Sequence, residues 1–536
     1  MRLRLSLPLL ALLACDPPAA QAPAEPAASG TVTLSLVGTN DVHGHAERLR
    51  WLGGHLANLR AAREADGGGV VLVSAGDMWQ GTLASNESEG AVMVRGFAAL
   101  GYDAAAIGNH EFDYGPVGPR SAAERGDEPR GALLERAREA RRLGVPFLAA
   151  NMLEDGRPIA WPGVSPSVLF ERAGRTIGVV GVSTEETTGT TLRANVQDLR
   201  MAPLAETIVR EAGALRRRGA QVVVVAAHAG GRCDLTEDPR DLSSCEADSE
   251  IFDLARKLPP GLVDAIVAGH THQAIAHEVN GIPILESHAR GRAFGRVDLT
   301  VGPEGVVSHR IFPPRDVCGR ERGPCAPEPY EGRPVVPDAE VAAAVAPELD
   351  AAETRLEASV GPRLRGRFRR SYGGESTLGR LLADMLLEAS PEADLALLNG
   401  GGIRADLPAG PLRFGALYEA FPFDNRIARI TLSGAQLEAV FRRHAGRSRS
   451  GLLVAGMSVT VRCGDRGPEV TLRDAEGRIV RDDARVVLVT SDYLASSGTL
   501  RNLGGPRPSS RVGEVLVRDA IAARLGRRRV LDPDDF

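Results

Sequence analysis

Eight polar residues with ligand or catalytic chemistry lie in five short loops of this 536-residue chain. Each loop follows an apolar, often β-branched run that predicts a strand; the eight residues are Asp41, His43, Asp77, Asn109, His110, His228, His270 and His272. In an open α/β sheet, ligands bind at the edge where the carboxyl ends of the strands meet. We therefore expect the five loops to bring carboxylate, imidazole and amide groups to one place.

This set of side chains predicts a metal centre. Carboxylate, imidazole and amide oxygen without thiolate suit Zn, Mn, Fe, Co or Ni better than a soft metal. Asp41 and His43 are two residues apart, as are His270 and His272, so on an extended backbone both members of a pair face the same way. The supply of ligands is too large for one tetrahedral ion and fits two ions that share a carboxylate. Two ions ~3.5–4 Å apart are the arrangement that holds the attacking and leaving oxygens in phosphoryl displacement.

Strands alternating with helices are expected to position these loops. The predicted strands cover residues 31–37, 70–74, 104–107, 222–226 and 263–267. Helical composition and periodicity predict helices over residues 55–65, 87–100, 131–143 and 203–218. This alternation is typical of an α/β architecture in which helices cover the sheets.

A segment rich in Pro, Gly and charge, residues 313–337, precedes a helical stretch over 338–358 and predicts a domain boundary. In the unit that follows, we predict a helix over 376–389 capped by Ser376, strands at 394–398, 427–432 and 485–490, and a helix at 433–444. The predicted organisation is an N-terminal domain at 31–315, a linker and connecting helix at 316–359, and a C-terminal domain at 360–536.

The amino terminus predicts export. Residues 1–15 begin with Arg2 and Arg4 and continue in an apolar stretch that is too short to span a bilayer and typical of a secretory signal. The segment Leu-Leu-Ala-Cys ending at Cys15 resembles a bacterial lipobox, which implies a lipidated Cys15 in a periplasmic or cell-surface lipoprotein; an ordinary exported protein is the alternative. Residues 16–30, rich in Pro and Ala, predict a semi-rigid tether.

The remaining cysteines fit an oxidising compartment. Cys233 and Cys245 flank a polar loop, and Cys318 and Cys325 flank a loop of Gly, Arg and Pro. Each pair is a candidate local disulfide, and Cys463 is the cysteine that belongs to neither pair.

The composition excludes several classes of protein. With 43% hydrophobic and 25% charged residues the chain is typical of globular proteins of about three domains, or two large ones. A net charge of −5 gives no basic footprint for a nucleic acid polymer and no basic membrane-binding face. The chain contains no HExxH motif, which disfavours a metalloprotease.

The order of the motifs, D-x-H-G, G-D, G-N-H-E-x-D, H and G-H-x-H, resembles the signature of calcineurin-like metallophosphoesterases. Together with NGGGIR and FPFDN further along, the chain after residue 30 resembles the bacterial 5′-nucleotidase and UDP-sugar hydrolase family. The resemblance implies an N-terminal four-layer α/β/β/α metallophosphoesterase sandwich and a smaller mixed α/β domain that recognises substrate.

The resemblance also implies a division of labour around two divalent ions, such as Zn, Mn, Co or Fe. The implied ligands are Asp41, His43 and His272 for the first ion, Asn109, His228 and His270 for the second, and Asp77 as the bridge. A hydroxide bridging the ions would attack phosphorus. His110 would be the catalytic histidine, oriented by Asp113.

For substrate recognition, the resemblance implies Asn399 and Arg404 near the phosphate, and Phe423, Asn425 and Tyr493 around the base. Two positions depart from the family pattern. Thr499 stands where the family usually has an Asp for the ribose hydroxyls, and Tyr372 lies near a missing arginine.

The leading hypothesis is an exported two-metal phosphohydrolase that releases phosphate from nucleoside 5′-monophosphates. The alternatives keep the mechanism but act on UDP-sugars, 2′,3′-cyclic nucleotides or a non-nucleotide phosphoester. An alternative of another class is a surface protein that binds a ligand without turnover.

Overall fold

The computed structural model describes residues 30–118, 120–319, 324–445, 451–464, 467–497, 499–500, 503 and 508–536. The predicted signal, Cys15 and nearly all of the tether lie outside these residues. Within the described part of the chain, no helix has the length and apolar composition needed to cross a membrane.

The described helices of the N-terminal half are α1 (Leu49–Ala65), α2 (Leu83–Glu87), α3 (Ala91–Leu100), α4 (Gly131–Arg142), α5 (Thr187–Thr190), α6 (Arg193–Val196), α7 (Leu204–Arg217) and α8 (Glu250–Lys257). Its described strands are β1 (Val32–Thr39), β2 (Gly69–Ser74), β3 (Ala104–Ala106), β4 (Phe147–Leu148), β5 (Met152–Glu154), β6 (Arg157–Pro158), β7 (Val164–Ser165), β8 (Ser167–Arg172), β9 (Arg175–Ser183), β10 (Leu199–Met201), β11 (Val222–His228), β12 (Ala265–Ala268), β13 (Ala274–Val279), β14 (Ile282–Ser287), β15 (Ala293–Gly302) and β16 (Gly305–Asp316).

Two large sheets form the centre of this half. One has the strand order β16-β15-β1-β2-β3-β4-β7, and the other has the order β13-β14-β12-β11-β9-β8. The strands that lead into the five motif loops pair in parallel, β1 with β2, β2 with β3, and β11 with β12. Their carboxyl ends therefore lie at the same edge of each sheet.

The side chains of each strand alternate between two cores, as a period of two requires. Val71 and Val73 of β2 belong to the core between the two sheets, whereas Val70 and Leu72 pack outward against α1, α3 and α4. The strand β11 divides in the same way between the inner core and the core under α7 and α8. This arrangement confirms the predicted four-layer α/β/β/α sandwich.

Two predicted helices differ from those observed. The helix predicted at 55–65 begins earlier, at Leu49, and the one predicted at 87–100 begins later, at Ala91, because the predicted range starts on the last residue of α2. The interruption between α2 and α3 ends at Gly90, whose φ is +82° and where an added Cβ would lie 2.7 Å from the ring of Trp79. Packing of the indole against the backbone therefore interrupts a segment of otherwise helical composition.

The C-terminal half has the described helices α9 (Ala339–Leu356), α10 (Thr377–Glu388), α11 (Phe414–Ala420), α12 (Gly434–Ala445), α13 (Asp492–Ser496) and α14 (Val517–Leu525). Its described strands are β17 (Ser359–Leu364), β18 (Leu395–Asn399), β19 (Gly410–Arg413), β20 (Arg426–Ser433), β21 (Leu452–Ala455), β22 (Ser458–Gly464), β23 (Gly467–Arg473), β24 (Arg485–Ser491), β25 (Ser509–Leu516) and β26 (Val530–Leu531). The main sheet has the order β21-β18-β24-β20-β25, which is a mixed α/β arrangement. The Ser376 hydroxyl caps α10 by accepting from the Gly379 amide, as predicted.

The long helix α9 joins the two halves. It packs on α1 and α3, and its buried residues are Val341, Val345 and Ala352. Near its C-terminal end the two halves meet in a small apolar cluster that includes Leu83 and Phe414. Beside that cluster the Asn86 amide donates to the Tyr418 hydroxyl at 2.9 Å.

Candidate active site

The seven residues predicted as metal ligands lie at the ends of strands, and most of them have unusual backbone conformations. The ligands with positive φ are Asp41, His43, Asp77, His270 and His272, at +50°, +49°, +51°, +81° and +59°. This region of φ is strained for residues other than glycine, and such residues cluster at functional sites. The motif glycines allow the loops to approach closely: an added Cβ on Gly108 would lie 2.2 Å from an oxygen of Asp77.

The first cluster consists of Asp41, His43 and His272. The Nε2 atoms of the two histidines are 3.0 Å apart, and His272 Nε2 is 3.4 Å from Asp41 Oδ1. His43 Nδ1 lies 3.0 Å from the Gln80 carbonyl, to which it can donate. Burial lowers the pKa of His43 to about 4, against the carboxylates of Asp77 and Asp41. His43 is therefore neutral at pH 7, with Nε2 free to act as a ligand.

The second cluster consists of Asp77, His228 and His270, with Asn109 beside it. Asn109 Oδ1 lies 2.9 Å from His228 Nε2 and 3.0 Å from His270 Nδ1, and the two ring nitrogens are 3.2 Å apart. His228 Nδ1 lies 2.9 Å from the Ala75 carbonyl, which leaves Nε2 for a ligand. Donor atoms around an ion at ~2.1 Å lie about 3 Å apart, so both clusters have the spacing of an ion's ligand sphere.

Asp77 belongs to the second cluster and lies next to the first. Its Oδ2 is 3.2 Å from His228 Nε2 and 4.0 Å from His43 Nε2, and its Oδ1 accepts from the His110 amide at 2.9 Å. In the first cluster Asp41 Oδ2 accepts two hydrogen bonds, whereas Oδ1 is buried and has no hydrogen-bond partner in the described structure. A buried carboxylate oxygen that has no hydrogen-bond partner and faces imidazole nitrogens has the surroundings expected of a cation ligand. The residues therefore fit divalent ions.

The two buried carboxylates stay ionised because of the positive charge around them. Burial raises the pKa of Asp41, but the His272 imidazole, 3.4 Å from Oδ1, and the charge of His228 outweigh burial and leave that pKa lowered. Burial likewise raises the pKa of Asp77, which the charge of His228 holds well below its usual value. In return, Asp77 raises the pKa of His228 to about 9 although burial lowers it. The site thus offers two ionised carboxylates to a bound cation.

His110 lies beside the clusters and belongs to neither. Its Nδ1 is 2.5 Å from Asp113 Oδ2, and its ring meets the His43 ring edge-on at 5.1 Å. Burial lowers the pKa of His110, but the carboxylates of Asp113 and Asp77 outweigh it and raise that pKa to about 10. A protonated ring held by Asp113 at Nδ1 can donate from Nε2.

Sequence reasoning missed Glu111, which holds the Asp77 loop in place. Its carboxylate is buried and accepts from the backbone amides of Gly108, Asp77 and Met78 at 2.6–2.9 Å. Burial and the charge of Asp77 raise the pKa of Glu111 to about 7. Its position inside the GNHEFDYG motif was the available signal, but backbone partners leave no trace in a sequence.

Replacing Glu111 with Leu is expected to lower stability by ~2 kcal/mol or more, because four buried backbone amides, including that of Trp79 at 3.3 Å, lose their acceptor. Thermal unfolding of the metal-free chain measures this loss. The control is Glu135→Leu on α4, where the carboxylate is exposed and pairs with Arg136. A Glu111→Leu variant as stable as this control would contradict the assigned role.

Glu286 plays the corresponding part for the other loops and was also missed. Its buried carboxylate accepts from the Thr271 hydroxyl at 2.7 Å, the Gln273 amide at 3.1 Å and the Gly231 amide at 3.4 Å. These contacts join the loop after β11 to the loop that carries His270 and His272. Burial raises the pKa of Glu286 well above its usual value.

A large cavity of about 1310 Å³ opens between the two halves next to His110. Of the predicted substrate residues, Phe423, Asn425 and Tyr493 line it together with His110 and Asp113. Asn399 and Arg404 are not among its lining residues. Arg404 is linked to the cavity through Phe423, because its guanidinium lies 5.1 Å from the centre of that ring.

The remaining sequence candidates lie elsewhere. The structure joins Cys233 to Cys245 and Cys318 to Cys325, and Cys463 is free and exposed. Two histidines outside the predicted site lie apart from it. His55 is buried in the core beside Phe294 and Tyr330, and His309 pairs with Glu278. Tyr372 is half exposed.

Two family models match the chain. The model described as calcineurin-like phosphoesterase matches residues 34–274, and the one described as 5′-nucleotidase, C-terminal domain, matches residues 354–502.

Curated proteins and solved structures give similar matches. Endonuclease YhcR of Bacillus subtilis is 26% identical over 87% of this chain, which spans only 36% of that relative's length. The 5′-nucleotidase of Vibrio cholerae is 24% identical over 88% of this chain and 86% of its own length. The crystal structure of a 5′-nucleotidase precursor from Thermus thermophilus shares the fold, with a TM-score of 0.63 at 21% identity, 93% coverage of this chain and 97% of that chain.

The two family models together match well over half of the sequence, and the sandwich with its ligand-bearing strand ends is the fold that their match predicts. The chain therefore belongs to the calcineurin-like phosphoesterases that carry a 5′-nucleotidase C-terminal domain, a family of metal-dependent phosphoester hydrolases.

Proposed function

We propose that the chain is an exported two-metal phosphohydrolase that releases phosphate from nucleoside 5′-monophosphates. The observation that carries the proposal is the adjacency of two sites. The two ligand clusters, with Asp77 of the second cluster next to the first, adjoin His110, and His110 opens into the same cavity as Phe423, Asn425 and Tyr493.

The side chains suit phosphoester hydrolysis. Divalent ions held by the two clusters would polarise the phosphoryl group and make a hydroxide nucleophile available near neutral pH. His110, protonated and anchored by Asp113, stabilises negative charge on the phosphoryl oxygens and delivers a proton to the leaving oxygen. Asp77 also accepts from the His110 amide and so fixes the histidine relative to the ligands.

The C-terminal half supplies a surface for a nucleoside. Phe423 and Tyr493 lie in the cavity wall, and more than half of the Tyr493 side chain is exposed. Stacking of a base on an aromatic ring contributes ~1–3 kcal/mol and tolerates many bases. Asn425 offers an amide to the base edge, and Arg404 offers a planar fork to an anion. The name of the Vibrio cholerae relative supports this substrate class.

The test is phosphate release from AMP by the purified chain after removal of metal with a chelator. We expect no release without metal and restored release when Mn, Co or Zn is added back. UDP-glucose, cyclic 2′,3′-AMP and p-nitrophenyl phosphate serve as alternative substrates. Turnover of p-nitrophenyl phosphate alone would contradict the nucleotide assignment, and no turnover with any metal would favour the binding-protein alternative.

Replacing Phe423 or Tyr493 with Ala is expected to raise KM for AMP roughly tenfold, since each removes one stacking contact. The KM for p-nitrophenyl phosphate should change little by comparison, because that substrate has no base. The matched control is Phe170→Ala in β8, a partly buried ring that packs on the core between the two large sheets. Equal changes in the KM for both substrates would mean that these rings stabilise the fold and do not recognise the base.

Export and lipidation of Cys15 are part of the same proposal and rest on the signal-like residues 1–15. Mass spectrometry of the membrane fraction would detect a lipid on Cys15. A soluble exported chain would favour the unlipidated alternative.

A further inference from the structure

One arginine in the wall of the interdomain cavity is buried and holds a short segment of the chain. This residue, Arg518, lies at the start of α14. Its guanidinium donates to the carbonyls of Phe421 and Phe423 at 3.2 and 3.3 Å and forms an ion pair with Asp424. Because Asp424 neutralises the guanidinium, Arg518 contributes directed hydrogen bonds to the wall and leaves no free charge for a ligand.

The segment held in this way, residues 421–425, carries two of the residues assigned to the nucleoside. It lies between the end of α11 and the start of β20 and includes Phe423 and Asn425, which line the cavity. A second contact comes from the residue before Arg518, since the Val517 amide donates to the Asn425 carbonyl at 2.8 Å. The start of α14 therefore fixes the backbone that carries both side chains.

The contacts of Arg518 continue into the N-terminal half. Its guanidinium carbon lies 4.4 Å from the centre of the Tyr418 ring, which is within the range of a cation–π contact. The Tyr418 hydroxyl accepts from the Asn86 amide, and Asn86 Oδ1 accepts from the Tyr114 hydroxyl at 3.1 Å. Tyr114 lies in the same motif, GNHEFDYG, as His110. A continuous series of contacts therefore joins the His110 motif to the segment 421–425.

We infer that Arg518 is a positioning residue for nucleoside recognition, which sets Phe423 and Asn425 at the distance from His110 that a nucleotide requires. The inference rests on the proposed function, which assigns those two side chains to the base. A planar guanidinium can meet two carbonyls and a carboxylate at once, whereas the ammonium of a lysine is a point charge on a flexible stem. The guanidinium of Arg518 therefore decides how well a base is bound, although it does not contact the base.

The test is the steady-state kinetics of Arg518→Met with AMP and with p-nitrophenyl phosphate, in the presence of Mn²⁺. The KM for AMP should rise about tenfold, which corresponds to the loss of one stacking contact, while KM and kcat for p-nitrophenyl phosphate change less than about twofold. Arg518→Lys should act in the same direction, because it keeps the charge beside Asp424 but loses the planar fork. This milder variant decides the matter if Arg518→Met does not fold.

The matched control is Arg296→Met in β15. Arg296 is also buried, pairs with Asp298 and lies 4.6 Å from the centre of the Phe312 ring, but it does not line the cavity. The inference would be overturned if the KM for AMP rose less than about five times as much as that for p-nitrophenyl phosphate in Arg518→Met. An equally selective rise in the control would overturn it as well.

Calorimetry with adenosine keeps this test separate from that of the proposed function, because a nucleoside carries no phosphate to be released. Arg518→Met should weaken adenosine binding about tenfold. If it does so and the unmodified chain does not hydrolyse AMP, the inference stands and the proposed function fails. If AMP is hydrolysed and neither adenosine affinity nor the ratio of the two KM values changes, the reverse holds. An unmodified chain that neither hydrolyses AMP nor binds adenosine would remove both.

Discussion

A His110→Ala variant is expected to lose about 10²–10⁴-fold in kcat for AMP while it retains its metal content. His110 lines the cavity beside the clusters but is a member of neither, and its Nδ1 contacts Asp113. Its removal should therefore affect the reaction and leave the metal ligands in place. Steady-state kinetics and metal analysis by mass spectrometry, run on the same preparation, measure the two quantities.

His309→Ala is the matched control for this variant. His309 also bonds to a carboxylate, that of Glu278 at 2.7 Å, but lies outside the cavity. Asp113→Asn should fall between His110→Ala and the unmodified chain, because an amide still fills the space but no longer stabilises the imidazolium. Loss of bound metal in His110→Ala, or a kcat within tenfold of the unmodified value, would refute the assigned role.

Asp77→Asn is expected to weaken the binding of both ions, by at least about 100-fold, and to abolish turnover at micromolar metal. Changes to residues that only orient ligands already cost about 10–100-fold in metal affinity, and Asp77 lies within reach of both clusters. Titration with Mn²⁺ followed by calorimetry gives the affinities. Partial recovery of activity at millimolar Mn²⁺ should follow, because the other predicted ligands remain.

The control for Asp77→Asn is Asp155→Asn. Asp155 has a φ of +49°, nearly that of Asp77, but it lies exposed in the turn between β5 and β6. Comparison of the two variants therefore separates the loss of a charge at the metal site from the effect of an asparagine at a left-handed backbone position. If only one ion were lost in Asp77→Asn, the bridging position would be wrong.

The sequence allowed prediction of the elements whose period and boundary residues are local. The parallel strands before the motifs and the helix capped by Ser376 belong to this group, whereas the four-layer arrangement was implied by the family resemblance. The strand β9 was not predicted, although it is nine residues long and lies inside the second sheet, because it ends in no ligand-bearing motif. The break at Gly90 depends on Trp79, which no helical periodicity reveals.

The identity of the candidate ligands could be predicted from residue type and order, but what supports them could not. Glu111 and Glu286 act through backbone amides of residues up to 55 positions away. A sequence does not show which amides a buried carboxylate will meet, because that depends on how the loops cross.

The position of α9 bears on how the protein can be divided for expression. The segment before it lies so close to α1 that a Cβ on Gly54 would be 2.1 Å from the Val336 carbonyl, and the Asp338 amide donates to the Arg50 carbonyl. A recombinant fragment that stopped near residue 315 would uncover this apolar surface of α1 and α3 to solvent. A fragment meant to carry the metal chemistry alone should therefore end after α9, so that this helix still covers the apolar surface of α1 and α3.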